Sequence, residues 1–373
     1  MKFTANQGVL LKLIAECASA TKADKNTSEI LSNLKLELEN NQLTVTATDL
    51  EVQIKGFIDV EQVAAGSITV PAKKFVEIVK NVSGAIEFTL DDAKNENGNP
   101  TATIRSGRSR FKLQTLPATD FPDIQGGNVQ MSFSCSASDF VGALGRISYA
   151  MANQDVRYYL NGAYVEFNAD KSVIFVATDG HRLSKTKCNA QVKEVIENTL
   201  SFIIPRKSVH ELSKIANNAG GEVHLGFTTN HVYLHAGNRI VASKLIDGRF
   251  PDYRRVILDV EKTLSVNRFD LRGALQRVAI TSNEKYRLIR MDLAKHTLTL
   301  SASNPEHEES EEMIQCAIDI ADPISIGMNV NYLLEAINTI PEEDVTIKFH
   351  DPNSSIKIES ADETVQVIMP ARL

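Results

Sequence analysis

The chain has no tryptophan, and aromatic residues make up only 6% of its 373 positions. It has four cysteines, Cys17, Cys135, Cys188 and Cys316, far apart and without a CxxC pair. That spacing fits reduced thiols in a cytoplasm better than a disulfide frame or a zinc site. No apolar run approaches the roughly 18–20 residues of a membrane span. The opening stretch MKFTANQGVLLKLIAECASA is broken by Glu16 and lacks the compact apolar core of a signal peptide, so it reads as a strand followed by an amphipathic helix. There is no HExxH, no Walker loop, no GxGxxG after a strand and no GxSxG. His231 and His235 lie four apart in an alternating strand, too far for one metal. No cofactor or metal is implied.

What is present is repetition. Each third opens on an amphipathic helical pattern, near Asn6, Ser138 and Arg268. An alternating strand ending in a small polar turn follows: LTVTATDLE from Leu43, VIFVATDGH from Val173 and LTLSASNPE from Leu298. A second helix comes next, as VPAKKFVEIVKNV, IPRKSVHELSKIA and MNVNYLLEAINTI. In the first two, proline is expected in the first turn, where its missing N–H costs nothing. The strand-to-strand interval is 130 residues, then 125, which suits whole domains rather than solenoid units. The expected fold is α+β: three repeated sheet-plus-two-helix domains at 1–124, 125–253 and 254–373, with 91–100 a surface loop.

Net charge is −7, but the three segments carry −2, +2 and −7, so the acidity sits in the last third. Lys73 and Lys80, Lys207 and Lys214, and Arg268 and Arg272 recur on single helical faces, suited either to solubility or to phosphates. VATDGHRLS holds Asp179, His181 and Ser184 within six residues, which raises a hydrolase. Its counterpart TATDLEVQI has no histidine, and Asp49 and Asp179 read first as turn residues that cap their own backbone. The run PEHEESEE could hold a hard cation, or be answered by a basic partner. Hydrolase and acidic metal-binding protein are the two alternatives to a non-catalytic binding surface.

Blocks of sequence, several longer than eight residues, span all three repeats: VPAKKF, IRSGRSRFKLQTLPATDFPD, NQDVRYYLNG, VATDGHRLS, SKLIDGRFPDYRRV, TSNEKYR, NPEHEESEE and the terminal VIMPARL. In these the chain resembles the bacterial DNA polymerase III β subunit family, the sliding clamps. The resemblance implies the DNA clamp fold, as a head-to-tail homodimer ring of six domains around duplex DNA. It implies no enzymatic activity. The ring would give processivity to DNA polymerase III, holding its α subunit, the clamp loader, and other polymerases and repair proteins through short clamp-binding peptides.

Residue by residue, the resemblance implies DNA contact by Lys25, Lys80, Gln154, Tyr158, Tyr159, Arg206 and Lys207. It implies a peptide pocket from Leu160, Thr178, Gly180, His181, Arg182 and Leu183. Pro251, Arg255, Val256, Asn329, Tyr332 and Ser355 belong to the same pocket. So do Val367, Ile368, Met369, Pro370, Ala371, Arg372 and Leu373, with His181, Arg182 and Arg372 as a polar rim. The implied dimer interface sets Arg105, Arg108 and Arg110 against Glu306, Glu308, Glu309, Glu311 and Glu312. Three positions depart from the family pattern: Glu29, in place of a proline in the loop that holds Lys25, and Asn353 and Ala371 at the pocket.

Overall fold

A computed structural model describes the chain except residues 23–27, 92–97, 125, 195–198, 260–261, 319, 321 and 373. Lys25 and Leu373, and most of the expected 91–100 loop, therefore lie outside the described residues. Among the described residues there are six α-helices: α1 (Gln7–Ala18), α2 (Ala72–Lys80), α3 (Ala137–Ser148), α4 (Arg206–Ala219), α5 (Arg268–Val278) and α6 (Val330–Asn338). They fall two to each third, where the periodicity predicts them. Among the described residues, no helix is long and apolar enough to cross a membrane.

Local chemistry explains where the helices start. Asn6 accepts the N–H groups of Gly8 and Val9 at 3.0 and 3.2 Å, and so caps α1. Asn267 does the same for α5 through Phe269 and Asp270, and Ser136 accepts the Asp139 N–H at 3.0 Å ahead of α3. Pro71 and Pro205 sit one position earlier than expected, just outside α2 and α4, which begin at Ala72 and Arg206. Along α1, Leu10, Leu13, Ile14 and Cys17 follow three- and four-residue spacing and are fully buried. Burying each large side chain stabilises by about 1.5–3 kcal/mol before conformational entropy is counted. Burial also pushes the Cys17 thiol up to about 12.

Contacts divide the chain into two compact units. The first holds Met1–Val141, Ala190–Glu194 and His210–Leu245, with a five-stranded and a nine-stranded antiparallel sheet. In the nine-stranded sheet, Arg239–Ser243 of the middle third pairs with Val52–Gly56 of the first third, so one ladder runs through both repeats. The second unit holds Gly142–Asn189, Val195–Val209 and Ile246–Leu373, with a nine-stranded and a four-stranded sheet. There Arg182–Lys185 pairs with Val365–Ile368, joining the middle and last thirds in the same way. The middle repeat thus contributes one sheet to each unit. This fusion has no signature in the sequence, because strand alternation does not reveal which strand lies alongside.

Candidate functional site

The stretch VATDGHRLS forms the strand Val173–Thr178, a turn, and the strand Arg182–Cys188, paired Thr178 to Leu183 and onward. Asp179 Oδ1 accepts the N–H groups of His181 and Arg182 at 2.9 and 3.0 Å. Asp49 Oδ1 accepts those of Glu51 and Val52 at 2.9 and 2.8 Å. The turn reading of both aspartates holds. Ser184 Oγ is fully buried and donates to the Arg146 carbonyl at 2.7 Å, while His181 stands exposed on the turn. With Asp179 spent on its turn and on Arg182, no hydrolytic triad is assembled. No group of three or more metal-ligating side chains occurs among the described residues, so the acidic run offers no metal site there.

Gly180 has φ +90°, and a Cβ there would come within 2.9–3.0 Å of the Arg157 guanidinium. That guanidinium bonds Asp155 and the Asp179 carbonyl, the latter at 3.0 Å. Asn161 ties the same loop at both ends, accepting the Asp155 N–H and donating to the Asp155 carbonyl, each at 2.9 Å. The two charge-assisted bonds from Arg157 hold the Asp155 carboxyl down at about 2.

Behind the turn lies an apolar cavity of about 230 Å³, lined by Leu160, Thr178, Gly180, His181, Arg182, Leu183, Pro251, Val256, Val367 and Met369. All ten are residues expected from the sequence. Arg157, Tyr159, Asp252 and Tyr253 line it too and were not foreseen as pocket residues. Tyr253 is held from beneath by Glu166, a carboxylate only 1% exposed, which accepts from Tyr253 Oη at 3.2 Å and Arg254 Nη2 at 2.6 Å. A second, wider cavity of about 1190 Å³ shares His181 and Met369 with the first and takes in Asn329, Tyr332, Pro370, Ala371 and Arg372. It runs on past Tyr286 to Glu309 and Glu311. Met369 reaches its place because its N–H donates to the His181 carbonyl at 2.8 Å.

Four expected pocket residues stand differently. Arg182 is no open rim: its side chain is 10% exposed, bonded to Asp179 Oδ2 at 3.0 Å, to the Tyr149 carbonyl at 2.6 Å and to Glu335, with its guanidinium 4.4 Å from the Tyr332 ring. Ile368 points into the core of the last third. Arg255 is exposed and paired with Asp252 at 3.1 Å, and Ser355 is buried; neither lines the two cavities. Asn353 belongs to an Asp351 turn, not to a pocket wall. Asn329, besides lining the wide cavity, caps α6 through Asn331 and Tyr332.

Of the basic and polar residues expected to meet DNA, Lys80 is exposed in the last turn of α2, and Lys207 in the first turn of α4. Gln154 and Tyr158 are exposed on the 153–160 loop. Tyr158 rests edge-on against Tyr159, rings 5.8 Å apart, so it is no core aromatic. Arg206 Nη1 instead donates to the Met151 carbonyl at 2.7 Å and fixes that loop.

Among the expected interface residues, Arg105, Arg108 and Arg110 are exposed. Arg105 and Arg110 face each other directly across a strand pair. The strand Ser109–Gln114, which carries Arg110, ends the five-stranded sheet, and Glu309–Gln315 ends the four-stranded one. Glu309 and Glu311 point outward from the latter, but Glu312 lies on its other face, held by Arg277 through two bonds of 2.6 and 2.9 Å. Arg277 correspondingly draws the Glu312 carboxyl below its ordinary range. Glu306 and Glu308 sit in the preceding turn, where Glu308 is bonded to Asn304.

Three family models match in succession: the N-terminal domain of the DNA polymerase III beta subunit over residues 1–125, its central domain over 135–252 and its C-terminal domain over 255–372. The chain belongs to the DNA polymerase III beta subunit family, the beta sliding clamps. It is 40% identical to the beta sliding clamp of Pseudomonas aeruginosa and 38% to that of Vibrio cholerae, each over the full length of both chains. Its fold superposes on a crystal structure of the Pseudomonas aeruginosa DNA polymerase sliding clamp with a TM-score of 0.93 at 38% identity, covering both chains completely. A sliding clamp of Caulobacter crescentus, at 32% identity, gives 0.92 and covers 99% of that chain. Sliding-clamp membership leaves the hydrolase without support.

Proposed function

We propose that two copies of this chain join head to tail into a cytoplasmic ring that encircles duplex DNA without reading its sequence. The ring carries out no chemistry; it tethers the DNA polymerase III α subunit, the clamp loader and other replication and repair proteins by short peptides. Each chain supplies three domains, 1–124, 125–253 and 254–373, a division supported by where the three family models match. The observation that carries the peptide reading is the pair of cavities meeting at His181 and Met369. An extended peptide with an apolar anchor suits the smaller one, and its flanking polar residues suit the wider one.

Ring closure is supported by two sheet edges of opposite charge. An open edge invites a strand from another chain, and the Arg105–Arg110 repulsion is relieved once acids approach. Ile280 and Met313, 79% and 63% exposed, supply apolar area that the charge pattern alone does not reveal. Glu312, occupied by Arg277, contributes least. Reversing Arg108 and Arg110 to glutamate should lower dimer stability, and reversing Glu309 and Glu311 as well should partly restore it. Exposed pairs are worth only about 0.2–1 kcal/mol each, so dimers that persist unchanged at nanomolar concentration in both single-side variants would assign closure to the apolar contacts alone.

The deciding test of function is topological. The protein should remain on nicked circular DNA and leave once that circle is linearised; equal retention on both forms overturns encirclement. Direct affinity should fall with salt, because exposed lysines on phosphates release counterions. Deleting Met369–Leu373 should abolish capture of polymerase-derived peptides. The strand Val365–Ile368 ends before the deletion, so circular dichroism and solution mass should remain those of the folded dimer. A folded truncation that still captures peptides at full strength would remove the pocket assignment.

A further inference from the structure

The first unit has a cavity of about 270 Å³ that neither DNA nor the peptide reading uses. Val9 of α1, Ile58, and Ile215 and Ala219 of α4 give it apolar walls. Arg239 and Glu16 border it as well, although Arg239 is only 5% exposed. Arg239 Nε donates to Glu16 Oε2 at 2.7 Å, and its Nη1 to the Asn238 carbonyl at 3.2 Å. The other Glu16 oxygen is met by Asn218 Nδ2 at 3.1 Å.

A guanidinium has five N–H groups, and the remaining three of Arg239 find no acceptor among the described residues. Arg239 Nη2 is not among the fully enclosed polar atoms that lack a partner, so it is accessible, and Arg239 lines the cavity, where an acceptor from solution can reach it. Room has been made for this arginine: a Cβ on Gly56 would come within 2.7 Å of Arg239 Cδ and 3.0 Å of its Nε. A buried ion pair by itself is weak evidence of stability, because well-packed apolar residues often serve as well. Lys12, exposed at the border, adds a second cation against the single Glu16 carboxylate.

We propose that this cavity binds a small carboxylate with a short apolar body. The oxyanion takes the free Arg239 N–H groups and the Lys12 ammonium, and the body lies against Val9, Ile58 and Ile215. A cavity of this size takes a small molecule rather than a folded partner.

The test is a titration of the intact protein in phosphate-free buffer, followed by NMR of the Val9, Ile58 and Ile215 methyls and the Arg239 Nε–H. Butyrate should move these signals saturably. 1-Butanol, which has the body without the charge, and inorganic phosphate, which has the charge without the body, should each bind at least about tenfold more weakly. An equal response to butyrate and 1-butanol, an equal response to phosphate, or a stronger response to duplex DNA each overturns the proposal. The double variant Glu16→Gln with Arg239→Met removes the cation without orphaning a buried acid, and should lose the butyrate response. Lys12→Met, at an exposed position, tests the same point without touching the buried pair and should weaken butyrate several-fold; an unchanged response there counts against the site.

Discussion

The turns Thr48–Val52 and Thr178–Arg182 repeat one another bond for bond. Thr48 Oγ1 accepts the Leu50 N–H at 3.0 Å and donates to the Val52 carbonyl at 2.9 Å; Thr178 Oγ1 accepts from Gly180 at 3.1 Å and donates to the Arg182 carbonyl at 2.6 Å. Each aspartate takes two backbone N–H groups. Both third residues are left-handed, Leu50 at φ +77° and Gly180 at φ +90°. Of the two, the second turn borders the cavities proposed to take a peptide. The scaffold is therefore common property of the repeat, and the site lies in what hangs from it. Where the first turn has Leu50 and Val52, the second has a glycine that admits Arg157, and an arginine bound to two other segments.

The largest separation between the two turns should come from Arg182 itself. Arg182→Met strips Asp179 and Glu335 of their cation and leaves the Tyr149 carbonyl without its donor. Removing one partner from a buried pair costs about 3–5 kcal/mol; Glu335 is half-exposed, which reduces this to about 2–4 kcal/mol. Urea unfolding should show that loss, and peptide capture should fall with it. Val52, at the matching position, is a buried core residue. Val52→Ala should cost stability through its cavity yet leave peptide capture intact. Equal loss of capture in both variants would mean that the second turn has no special role.

The middle-sized contrast is at the left-handed residues. Gly180→Ala adds about 1–2 kcal/mol of backbone strain and pushes on Arg157, so both stability and peptide affinity should drop. Leu50→Gly relieves strain of the same size, offset by the roughly 0.5–1 kcal/mol of extra freedom glycine has when unfolded. The first turn should become slightly more stable, or stay as it is. A clear loss in Leu50→Gly would show that the exposed leucine side chain carries a contact of its own.

These contrasts also mark what sequence could and could not tell. Helix patterns and turn aspartates depend on residues a few positions apart, and the threefold repeat on the return of those patterns at intervals of 130 and 125 residues, so all were legible. Ten of the fourteen lining residues of the smaller cavity followed from the family motifs. Arg182 was misplaced on a rim because its burial depends on Tyr149, Tyr332 and Glu335, far along the chain. Arg239 and Glu16 are further apart still, and neither belongs to any motif. Glu312 looked like one of five interface acids until strand alternation turned it toward Arg277. Long-range pairing of charges is set by packing, and a single sequence does not carry it.

The smallest expected effect concerns Asp155, beside the second turn. Arg157 holds its carboxyl at about 2, below the ordinary 3.8. A carboxylate depressed in the folded state adds stability that is fully present above its unfolded value and is lost as pH falls through the folded one. The window is thus about pH 4 down to pH 2, and neutral conditions do not enter it. Asp155 is at the surface, so the gain is small and screened by salt. Carbon NMR of the Asp155 carboxyl should give a midpoint near 2, rising toward 4 in Arg157→Gln. Because Arg157 also donates to the Asp179 carbonyl, that variant should loosen the second turn slightly and leave the first unchanged. A midpoint that stays near 2 without Arg157 would transfer the hold on Asp155 to its backbone hydrogen bonds.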